Sequence, residues 1–585
     1  MLEKKENSQL FKIRHSLAHI LAMSILDKYK NAKLAIGPVV DNGFYYDIDF
    51  RSEKITDADL KDFQKKMKKI ISQKYDFKKI DVSRDEALEK VKGNEYKEEL
   101  INEFVNAGEN ITFYKTGDEF EDLCEGVHVE NTSEISTDAF KLVKVAGAYW
   151  RGDEENKMLT RIYGVAFETK EKLEEYENMM REAEKRDHRK LGKELGLFTF
   201  SEYVGAGLPL FTPKGTLIRD LIIGRIAKLQ EKLGWQKVTI PHITKSDLYK
   251  ISGHWDKFKD DLFFVKGKSD TEFVMKPMNC PHHTQIYAAY PKSYKDLPVR
   301  FTEITTVYRD EQAGELMGLS RVRSITQDDG HSFCTEEQIE QEVKNIVSII
   351  KDFYTDLGMF EDGKYWVSLS VMDPEHPEKY LNENGLFEKA EVILEKIAKE
   401  ENLPYKRIEG EAAFYGPKLD FQFMDAIGRE WQLGTVQLDF SMPERFNLEY
   451  TDENGEKKVP VMIHRAIAGS LERFMSLMVE HFAGEFPFWL SPVQAKIIPV
   501  GDFANEYAGN IFNELKEKGF RVEFDDSDNG FGKKVRLAKK EKLPFFIIVG
   551  DKDIEAKKVT LESMSGESEQ ISLEELIDKF KKENK

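Results

Sequence analysis

Apolar residues near the start of the chain recur at helical spacing, and the pattern changes further on. Between residues 10 and 30 one stripe predicts an amphipathic helix, and its apolar members are Ile13, Leu17, Ile20, Leu21 and Ile25. His15 and His19 lie at i and i+4, so this helix places them next to each other on one face. The segment Asp41-Asn42-Gly43 predicts a hairpin, and residues 55–105 are predicted to be mostly charged helix.

The middle of the chain mixes helices with strands. A single, highly charged helix is predicted over residues 169–195, where few apolar positions occur. The run Thr-Glu-Glu-Gln at 335–338 is a capping box, which predicts that a helix with an apolar stripe at Ile339, Val343, Ile346 and Ile350 begins there. Residues 418–440 predict two strands around a turn at 425–428. Consecutive paired strands indicate an antiparallel sheet.

The last segment begins near Leu490 and alternates strands with helices. The predicted order is a strand (493–500), a helix (504–518), a strand (521–524), a helix (533–540), two strands (544–549 and 559–561) and a helix (573–582). This alternation is typical of a small α/β domain.

A polar stripe stands out against these apolar patterns. Its members are all odd-numbered: Arg321, Arg323, Gln327, Asp329 and His331. A β-strand alternates faces with period two, so a strand over this run would place all of them on one face. Such a face is costly to bury without partners, and it suits a site for a zwitterion, a phosphate or a metal. The alternative is an edge strand whose polar face is solvated.

Length and charge limit the possible classes of protein. The chain has 585 residues, which is beyond the roughly 250–300 at which one hydrophobic core stops growing, so about three or four domains are expected. Hydrophobic residues make up 40% and charged residues 33%, as in a soluble globular protein. The net charge of −19 argues against wholesale wrapping of nucleic acid but leaves room for a local basic groove.

Location is also predicted from composition. No window approaches the roughly 18 apolar residues of a membrane helix, and residues 1–7 contain no apolar stretch that would begin a signal peptide. The cysteines are Cys124, Cys280 and Cys334, which provide no disulfide framework and predict a reducing cytoplasm.

Short motifs recur along nearly the whole chain. They are His15-x-x-x-His19, Cys124-x-x-x-His128 and the segments 145–153, 277–281, 321–331, 414–418, 434–440 and 459–473. HxxxH or CxxxH alone is a weak signal. In this order, however, the segments together resemble the threonyl-tRNA synthetases, a family of class II aminoacyl-tRNA synthetases.

The resemblance implies an α+β multidomain architecture. It consists of an α+β editing domain (1–167), a helical linker (168–190), a class II catalytic domain with an antiparallel sheet (191–488) and a C-terminal α/β anticodon-binding domain (489–585). The small ubiquitin-like domain that usually precedes the editing domain is expected to be missing, because His15 lies so near the start.

The three class II motifs also find counterparts. Motif 1 resembles the helix–strand passage that ends at Pro241, which the family uses at a homodimer interface. Motif 2 is the pair of strands around the 311–320 loop. Motif 3 is the strand 459–463 leading into the helix with Glu472 and Arg473.

By resemblance, Cys280, His331 and His464 hold one Zn²⁺ per subunit. Three protein ligands leave positions open for the amino and hydroxyl groups of threonine. Valine lacks the hydroxyl, and a purely hydrophobic pocket separates such isosteres by only about 10²-fold. A local alternative is a metal cluster that includes His282 and His283, although the family usually has Gly at the position of His282.

Activation joins the threonine carboxylate to the α-phosphate of ATP, with Mg²⁺ neutralising phosphate charge. The resemblance assigns Arg309 to the α-phosphate, Arg321 to the bent triphosphate, Arg473 to the γ-phosphate end and Glu311 to the adenine amino group. The other substrate-lining positions are Met278, Gln327, Asp329, Tyr415, Lys418, Gln432, Thr435, Gln437 and Ser470. Gln432 and Gln437 differ in parity, so a bulge near Gly434 is predicted if both face the pocket.

Serine differs from threonine by a methyl group, a difference worth about 1–3 kcal/mol, so a second site that hydrolyses seryl-tRNA is expected. The matching editing residues are His15, His19, Lys97, Asp122, Cys124 and His128. Four of them also look like a zinc site. The family resemblance instead implies a set that activates water and positions the substrate.

In the last domain, Arg536 and Lys542 match positions of basic tRNA contacts. Glu562 and Asp528 depart from the family pattern, so anticodon recognition is expected to be weaker or differently arranged. Two rival hypotheses are a non-catalytic RNA-binding paralogue and a synthetase specific for serine or proline. The first would be expected to lose Arg309, Arg473 or a zinc ligand, and all are present.

Overall fold

The computed structural model describes residues 8–118, 120–268, 270–381 and 385–584. Residues 1–7, on which the prediction of no signal peptide depends, lie outside this part of the chain. The chain divides into two compact units, residues 1–181 and 182–585.

The first unit combines helices with small antiparallel sheets. Its helices are α1 (Gln9–Lys28), α2 (Leu60–Ser72), α3 (Arg84–Lys90) and α4 (Glu95–Ala107). Its strands are β1 (Lys33–Leu34), β2 (Val39–Val40), β3 (Gly43–Asp49), β4 (Phe77–Asp81), β5 (Thr112–Thr116), β6 (Phe120–Leu123), β7 (Phe140–Tyr149) and β8 (Met158–Ala166). One sheet has the order β1-β3-β8-β7 with β2 paired to β3, and the other has the order β4-β5-β6.

The predicted first helix is confirmed as α1, which buries Leu17, Ile20, Leu21 and Ile25. The hairpin prediction is also confirmed, because β2 and β3 pair antiparallel around Asn42, whose φ is 62°. The prediction of mostly charged helix over 55–105 is wrong at β4, which lies between α2 and α3 and pairs with β5. Charged residues dominate this short strand, so its apolar signal is weak.

The predicted single helix over 169–195 is wrong in one respect. The structure has two helices, α5 (Lys170–Arg186) and α6 (His188–Glu194). Asp187 separates them, with φ −47° and ψ 119°, and its side chain accepts a hydrogen bond from the Arg189 backbone N–H at 2.8 Å. An Asp in this position caps the new helix, so the chain bends there instead of continuing.

The second unit contains a large sheet and several short strand pairs. Its strands before the C-terminal domain are β9 (Phe198–Thr199), β10 (Leu210–Phe211), β11 (Gln236–Lys237), β12 (Ile243–Lys245), β13 (Phe264–Val265), β14 (Phe273–Met275), β15 (Val299–Tyr308), β16 (Ser324–Cys334), β17 (Tyr365–Val371), β18 (Tyr405–Glu409), β19 (Lys418–Met424), β20 (Glu430–Asp439), β21 (Tyr450–Thr451), β22 (Lys457–Lys458) and β23 (Val461–Ala466). The large sheet has the order β11-β15-β16-β23-β20-β19-β17-β18. Its inner pairs are antiparallel, as predicted, whereas the edge pairs β11–β15 and β17–β18 are parallel.

Helices cover one face of this sheet. The helices of this region are α7 (Pro213–Glu231), α8 (Asp247–Ser252), α9 (His254–Phe258), α10 (Cys280–Ala288), α11 (Ile339–Thr355), α12 (Leu386–Glu400), α13 (Ser441–Arg445) and α14 (Leu471–His481). Ile346 and Ile350 of α11 belong to the same buried cluster as Val436 and Ile463 of the sheet. Because side chains alternate along a strand, the residues between these apolar ones project from the opposite face of the sheet.

Local predictions in this region are confirmed. The capping box before α11 is present, and the Thr335 backbone N–H donates to Gln338 Oε1 at 3.0 Å. Strands β19 and β20 pair as predicted, with Asp420 opposite Thr435 but Gln422 opposite Gln432. Three steps along β20 therefore match two along β19, which is the bulge predicted near Gly434.

The C-terminal part is an α/β domain. Its elements are β24 (Ala495–Pro499), α15 (Asn505–Glu517), β25 (Val522–Phe524), α16 (Phe531–Lys540), β26 (Phe545–Val549), α17 (Asp551–Ala556), β27 (Val559–Ser563), β28 (Ser568–Ile571) and α18 (Leu573–Glu583). Prediction missed α17 and β28, which are short and polar. Among the helices that the structure describes, none is long and apolar enough to cross a bilayer.

Candidate functional site

A row of polar side chains crosses neighbouring strands on the face of the large sheet opposite α11. His331 of β16 lies opposite His464 of β23. His464 in turn lies opposite Gln437 of β20, and Gln437 lies opposite Lys418 of β19. Register partners share a face, so the pairing brings together residues that lie far apart in sequence. This juxtaposition depends on strand order.

Cys280, at the start of α10, completes a buried cluster with His331 and His464. The ligand atoms of the three side chains lie within 4.8 Å of one another. His331 Nε2 and His464 Nδ1 are 3.1 Å apart, and burial raises the pKa of the Cys280 thiol well above its usual range. One thiol and two imidazoles facing a common point fit the donor preferences of zinc.

Both histidines of this cluster have a second polar partner. His464 Nε2 lies 2.9 Å from Asp439 Oδ2, and His331 Nδ1 lies 2.8 Å from His283 Nδ1. These contacts engage the ring nitrogens that point away from the cluster, so they fix which nitrogens face inward. The sequence assigned no role to Asp439, and it offered His283 only as a member of the alternative metal cluster, not as a partner of His331.

The predicted stripe is partly wrong. Gln327, Asp329 and His331 lie in β16 and share a face, but Arg321 and Arg323 precede the strand, which begins at Ser324. The two arginines belong to the loop between β15 and β16. There Arg323 donates to the Glu311 carbonyl oxygen at 2.9 and 3.0 Å.

Asp329 lies beside the cluster. Its Oδ2 accepts from Asn279 Nδ2 at 3.0 Å, and the same amide approaches Gln327 Oε1 at 3.4 Å. Burial raises the pKa of the Asp329 carboxyl, because it disfavours the carboxylate anion. A bound ammonium group would stabilise that anion. The neighbouring Met278 carbonyl oxygen accepts from the Tyr249 hydroxyl at 2.9 Å.

Further predicted residues meet on β19, on β20 and in the segment just before β19. Tyr415 stacks on His464, with ring centroids 4.9 Å apart, and its hydroxyl donates to Gln437 Oε1 at 2.6 Å. Asp420, which was not predicted, binds both Lys418 Nζ (2.7 Å) and the Thr435 hydroxyl (2.7 Å). The bulge places the exposed Gln432 on the same face.

The predicted phosphate-binding arginines line the same region. Arg309 follows β15 directly, and burial lowers the pKa of its guanidinium. Arg321 is half exposed and binds Glu311 Oε2 at 2.7 Å. Arg473, in the first turn of α14, lies 5.6 Å from the ring centroid of Trp431 and follows the helix cap Ser470.

The alternative cluster with His282 is not supported. His282 is buried, and neither of its ring nitrogens has a hydrogen-bond partner among the described residues. Burial lowers the pKa of this imidazole to about 4. His283 is directed at His331, so the two adjacent histidines do not converge on Cys280.

A second polar cluster lies inside the first unit. Cys124 Sγ is 3.3 Å from His15 Nε2 and 3.4 Å from His128 Nε2, and the rings of His19 and His128 have centroids 4.3 Å apart. Burial lowers the pKa of all three histidines and raises the pKa of Cys124 to about 12. The side chains of this cluster are therefore uncharged near pH 7, and their ring nitrogens can take part in hydrogen bonds.

Lys97 and Asp122 lie next to this cluster. Lys97 Nζ is 2.9 Å from Asp122 Oδ1, and both side chains are buried. Asp122 also accepts a hydrogen bond from the Tyr46 hydroxyl. Gly126 allows His15 to approach, because a Cβ there would lie 2.0 Å from His15 Cε1. Tyr46 and Gly126 were not predicted.

In the C-terminal domain, Arg536 is exposed on α16, whereas Lys542 binds Glu485 at 3.2 Å. Glu562 forms an ion pair with Lys539 at 2.8 Å, and Asp528 is exposed. A surface cavity of about 700 Å³ is lined by residues that include Phe512, Phe524, Asp525, Asp526 and Asn529.

Known families match three stretches of the chain. The family "tRNA synthetase class II core domain (G, H, P, S and T)" matches residues 263–482. "Anticodon binding domain" matches 494–583, and "Threonyl and Alanyl tRNA synthetase second additional domain" matches 111–163. These matches lie on the large sheet, on the C-terminal domain and on the part of the first unit that contains Cys124.

Whole-length relatives are similar throughout. The "Threonine--tRNA ligase" of Gloeobacter violaceus is 48% identical over 581 residues, covering 98% of this chain and 92% of that protein. The protein of the same name from Thermotoga neapolitana is 43% identical over 585 residues, covering 100% and 89%. The crystal structure of the RNA binding domain of threonyl-tRNA synthetase from Cryptosporidium parvum Iowa II is 35% identical with a TM-score of 0.64, covering 68% of this chain and 98% of that one.

Proposed function

Because this chain belongs to the threonyl-tRNA synthetase family, we propose roles for its residues in the two reactions of that family. The chain is a threonine–tRNA ligase that uses ATP and Mg²⁺ to activate its amino acid for transfer to tRNA, and it carries the domain associated with editing. The observation that carries the proposed roles is the polar row from His331 to Lys418 beside Cys280.

Cys280, His331 and His464 would hold one zinc ion. Their buried donor atoms converge, and the carboxylate of Asp439 backs the outer nitrogen of His464. Three protein ligands would leave room for an amino-acid substrate. When bound, the ion supplies a Lewis acid that favours an amino acid with a side-chain hydroxyl over valine.

The neighbouring side chains would orient threonine. Asp329 would accept the ammonium or hydroxyl group, held in place by Asn279. Gln327, Gln437 and Tyr415 would line the pocket beside it, and Met278 would contribute its backbone. Desolvation in this pocket strengthens each polar contact with the substrate.

Charge on the ATP phosphates would be met by arginines. Arg309 would bind the α-phosphate and the threonine carboxylate, Arg321 the bent triphosphate and Arg473 the γ-phosphate end. Glu311 would accept from the adenine amino group. The remaining lining residues of the ATP and threonine sites would be Lys418, Gln432, Thr435 and Ser470.

Replacing Arg309 with glutamine is expected to slow threonine-dependent ATP–pyrophosphate exchange by about 10²–10³-fold, because a fixed cation at the reacting phosphate is lost. The turnover number for exchange is the measurement. Arg225→Gln is the matched control, since Arg225 forms only an ion pair with Asp356 in the described structure. Equal exchange by both variants would disprove the role of Arg309.

The zinc affinity of a His283 variant tests whether the contact between His283 and His331 supports metal binding. His283→Phe keeps a ring packed against Phe301 but removes the nitrogen that lies 2.8 Å from His331 Nδ1. Loss of such an outer partner is expected to weaken zinc binding by about 10–100-fold, measured by competition with a chelator.

The matched control for this experiment is His282→Phe. His282 is the adjacent buried histidine, and its ring nitrogens form no hydrogen bond among the described residues. The control should bind zinc as tightly as the unmodified chain. Equal weakening in both variants would mean that packing, and not the His283–His331 contact, determines zinc affinity.

The first unit would hydrolyse seryl-tRNA. His15, His19, Cys124 and His128 would position the ester and the attacking water, and His15 would take up the proton of that water. Lys97 and Asp122 would supply charge beside them. A zinc ion in this cluster is the alternative, and elemental analysis distinguishes the two, because the alternative gives two zinc ions per chain and not one.

Recognition of tRNA would involve the C-terminal domain. Arg536 is exposed and could bind a tRNA phosphate, whereas Lys542 would first have to break its ion pair with Glu485. The chain would act as a homodimer in the cytoplasm. Exposed apolar side chains at Phe200, Tyr203 and Leu210 support the dimer, and free thiols at all three described cysteines fit a reducing compartment. Light scattering tests the dimer.

A further inference from the structure

His188 is the first residue of α6 and is 3% exposed. Its ring nitrogens have different partners. Nδ1 lies 2.7 Å from Glu480 Oε1, and Nε2 accepts from the Leu319 backbone N–H at 3.0 Å. A backbone amide can only donate, so Nε2 carries no proton and Nδ1–H donates to Glu480. The ring therefore links two elements that are remote in sequence.

The Glu480 side of this link is held by several polar contacts. Glu480 lies in the last turn of α14, and its Oε1 also accepts from the His188 backbone N–H at 3.1 Å. Its Oε2 binds Arg429, which in turn binds Asp425 at 2.6 Å. The carboxylate oxygens and ring nitrogens thus already have partners. The group is therefore a hydrogen-bonded strut and not an ion site.

The Leu319 side of the link is a tight turn in the loop between β15 and β16. The Ser320 backbone N–H donates to the Met317 carbonyl at 2.9 Å, and the Met317 N–H donates to the Arg321 carbonyl at 3.2 Å. Gly318 has φ +53°, and a Cβ there would lie 2.3 Å from His188 Nε2. The turn is therefore shaped to fit the imidazole.

This turn lies immediately before Arg321. Leu319 is fully buried, and the Ser320 hydroxyl is 3.0 Å from that of Ser476 on α14. By contrast, Arg321 just after the turn and Glu315 just before it are about half exposed. The position of Arg321 thus depends on how firmly the turn is fixed to the interior.

We propose that His188 is a positioning residue for ATP binding: it holds the turn at Gly318–Ser320 so that Arg321 and Glu311 stay in place for the triphosphate and the adenine. The inference relies on the proposed ATP role of this loop. It connects α6, in the segment predicted to be the linker, to the activation site. His188 itself touches no substrate.

Side chains of different length separate the two hydrogen bonds. His188→Gln can place an amide oxygen near the Nε2 position and accept from Leu319. His188→Asn reaches only the Nδ1 position and can donate to Glu480. His188→Phe retains a ring and makes neither bond.

The expected result in pyrophosphate exchange is a KM for ATP about tenfold higher in His188→Phe and His188→Asn, because a buried amide loses its acceptor. His188→Gln should be within about threefold of the unmodified enzyme. The KM for threonine should be unchanged in all three. Lys190→Gln, an exposed residue of the same helix, is the control and should change neither KM.

An unchanged KM for ATP in His188→Phe would overturn the proposal. An equal rise in the KM for ATP and the KM for threonine would also overturn it, because it would indicate a structural role alone. The same conclusion would follow if His188→Gln and His188→Asn had equal melting temperatures and equally raised KM values for ATP. Arg321→Gln tests the loop separately: if it leaves the KM for ATP unchanged, the proposed ATP role of Arg321 fails, whatever the His188 variants show.

Discussion

Cys280→Ala is expected to abolish threonine-dependent ATP–pyrophosphate exchange and zinc content together. Removing the thiol leaves His331 and His464 as the remaining protein donors of the cluster, which are too few for a stable zinc site. Exchange should fall by about three orders of magnitude, because a Lewis acid contributes several kcal/mol to binding and activation. Exchange is followed with labelled pyrophosphate, and zinc by elemental analysis of the same preparation.

The matched control is Cys334→Ala. Cys334 is also a buried free cysteine, but it belongs to the apolar cluster behind the sheet. This variant should retain about one zinc per chain and most of the exchange activity. Zinc at one per chain in Cys280→Ala would contradict the proposed ligand set.

His15→Ala is expected to let seryl-tRNA accumulate while exchange persists. Its imidazole Nε2 lies 3.3 Å from Cys124 Sγ, and its Nδ1 lies 3.2 Å from the Val127 carbonyl oxygen. Loss of a positioned base should slow deacylation of seryl-tRNA by about 10²-fold or more. The rate is measured on pre-formed seryl-tRNA, with exchange as the internal control for the second unit.

Gly126→Ala offers an independent version of this experiment. The added Cβ would lie 2.0 Å from His15 Cε1, so it must displace the ring without removing it. Deacylation should fall as in His15→Ala, with exchange again intact. Unchanged deacylation in both variants would exclude His15 from the editing reaction.

Elements with strong local patterns were predictable. Helix α1 has an apolar stripe, and β2–β3 has an Asp-Asn turn followed by Gly43; both elements occur as expected. Elements whose pattern is weak were not. Strand β4 presents two adjacent lysines to solvent, and the break at Asp187 depends on one capping side chain within an otherwise continuous charged segment.

The candidate site shows a similar division. The alternation expected of a β-strand correctly grouped Gln327, Asp329 and His331 on one face. The predicted strand was too long, however, because it also included Arg321 and Arg323. No local spacing could align His331 with His464, because that contact comes from the pairing of β16 with β23. Here family resemblance supplied the pairing in advance.

Supporting residues were the hardest to predict. Asp439, His283 and Asp420 contact other side chains of the candidate site, and these contacts depend on register and on helix placement. His188 is the extreme case, since its partners Leu319 and Glu480 lie more than 130 residues away along the chain. Such contacts become visible only when the fold brings the segments together.

Amino-acid-dependent ATP–pyrophosphate exchange tests the central claim most directly. With threonine, valine, serine and proline compared at equal concentration, threonine should give the highest kcat/KM. Valine should be lower by more than the roughly 10²-fold that a hydrophobic pocket provides, and serine should be detectable but slower. No exchange with threonine, together with exchange driven by serine or proline, would contradict the account.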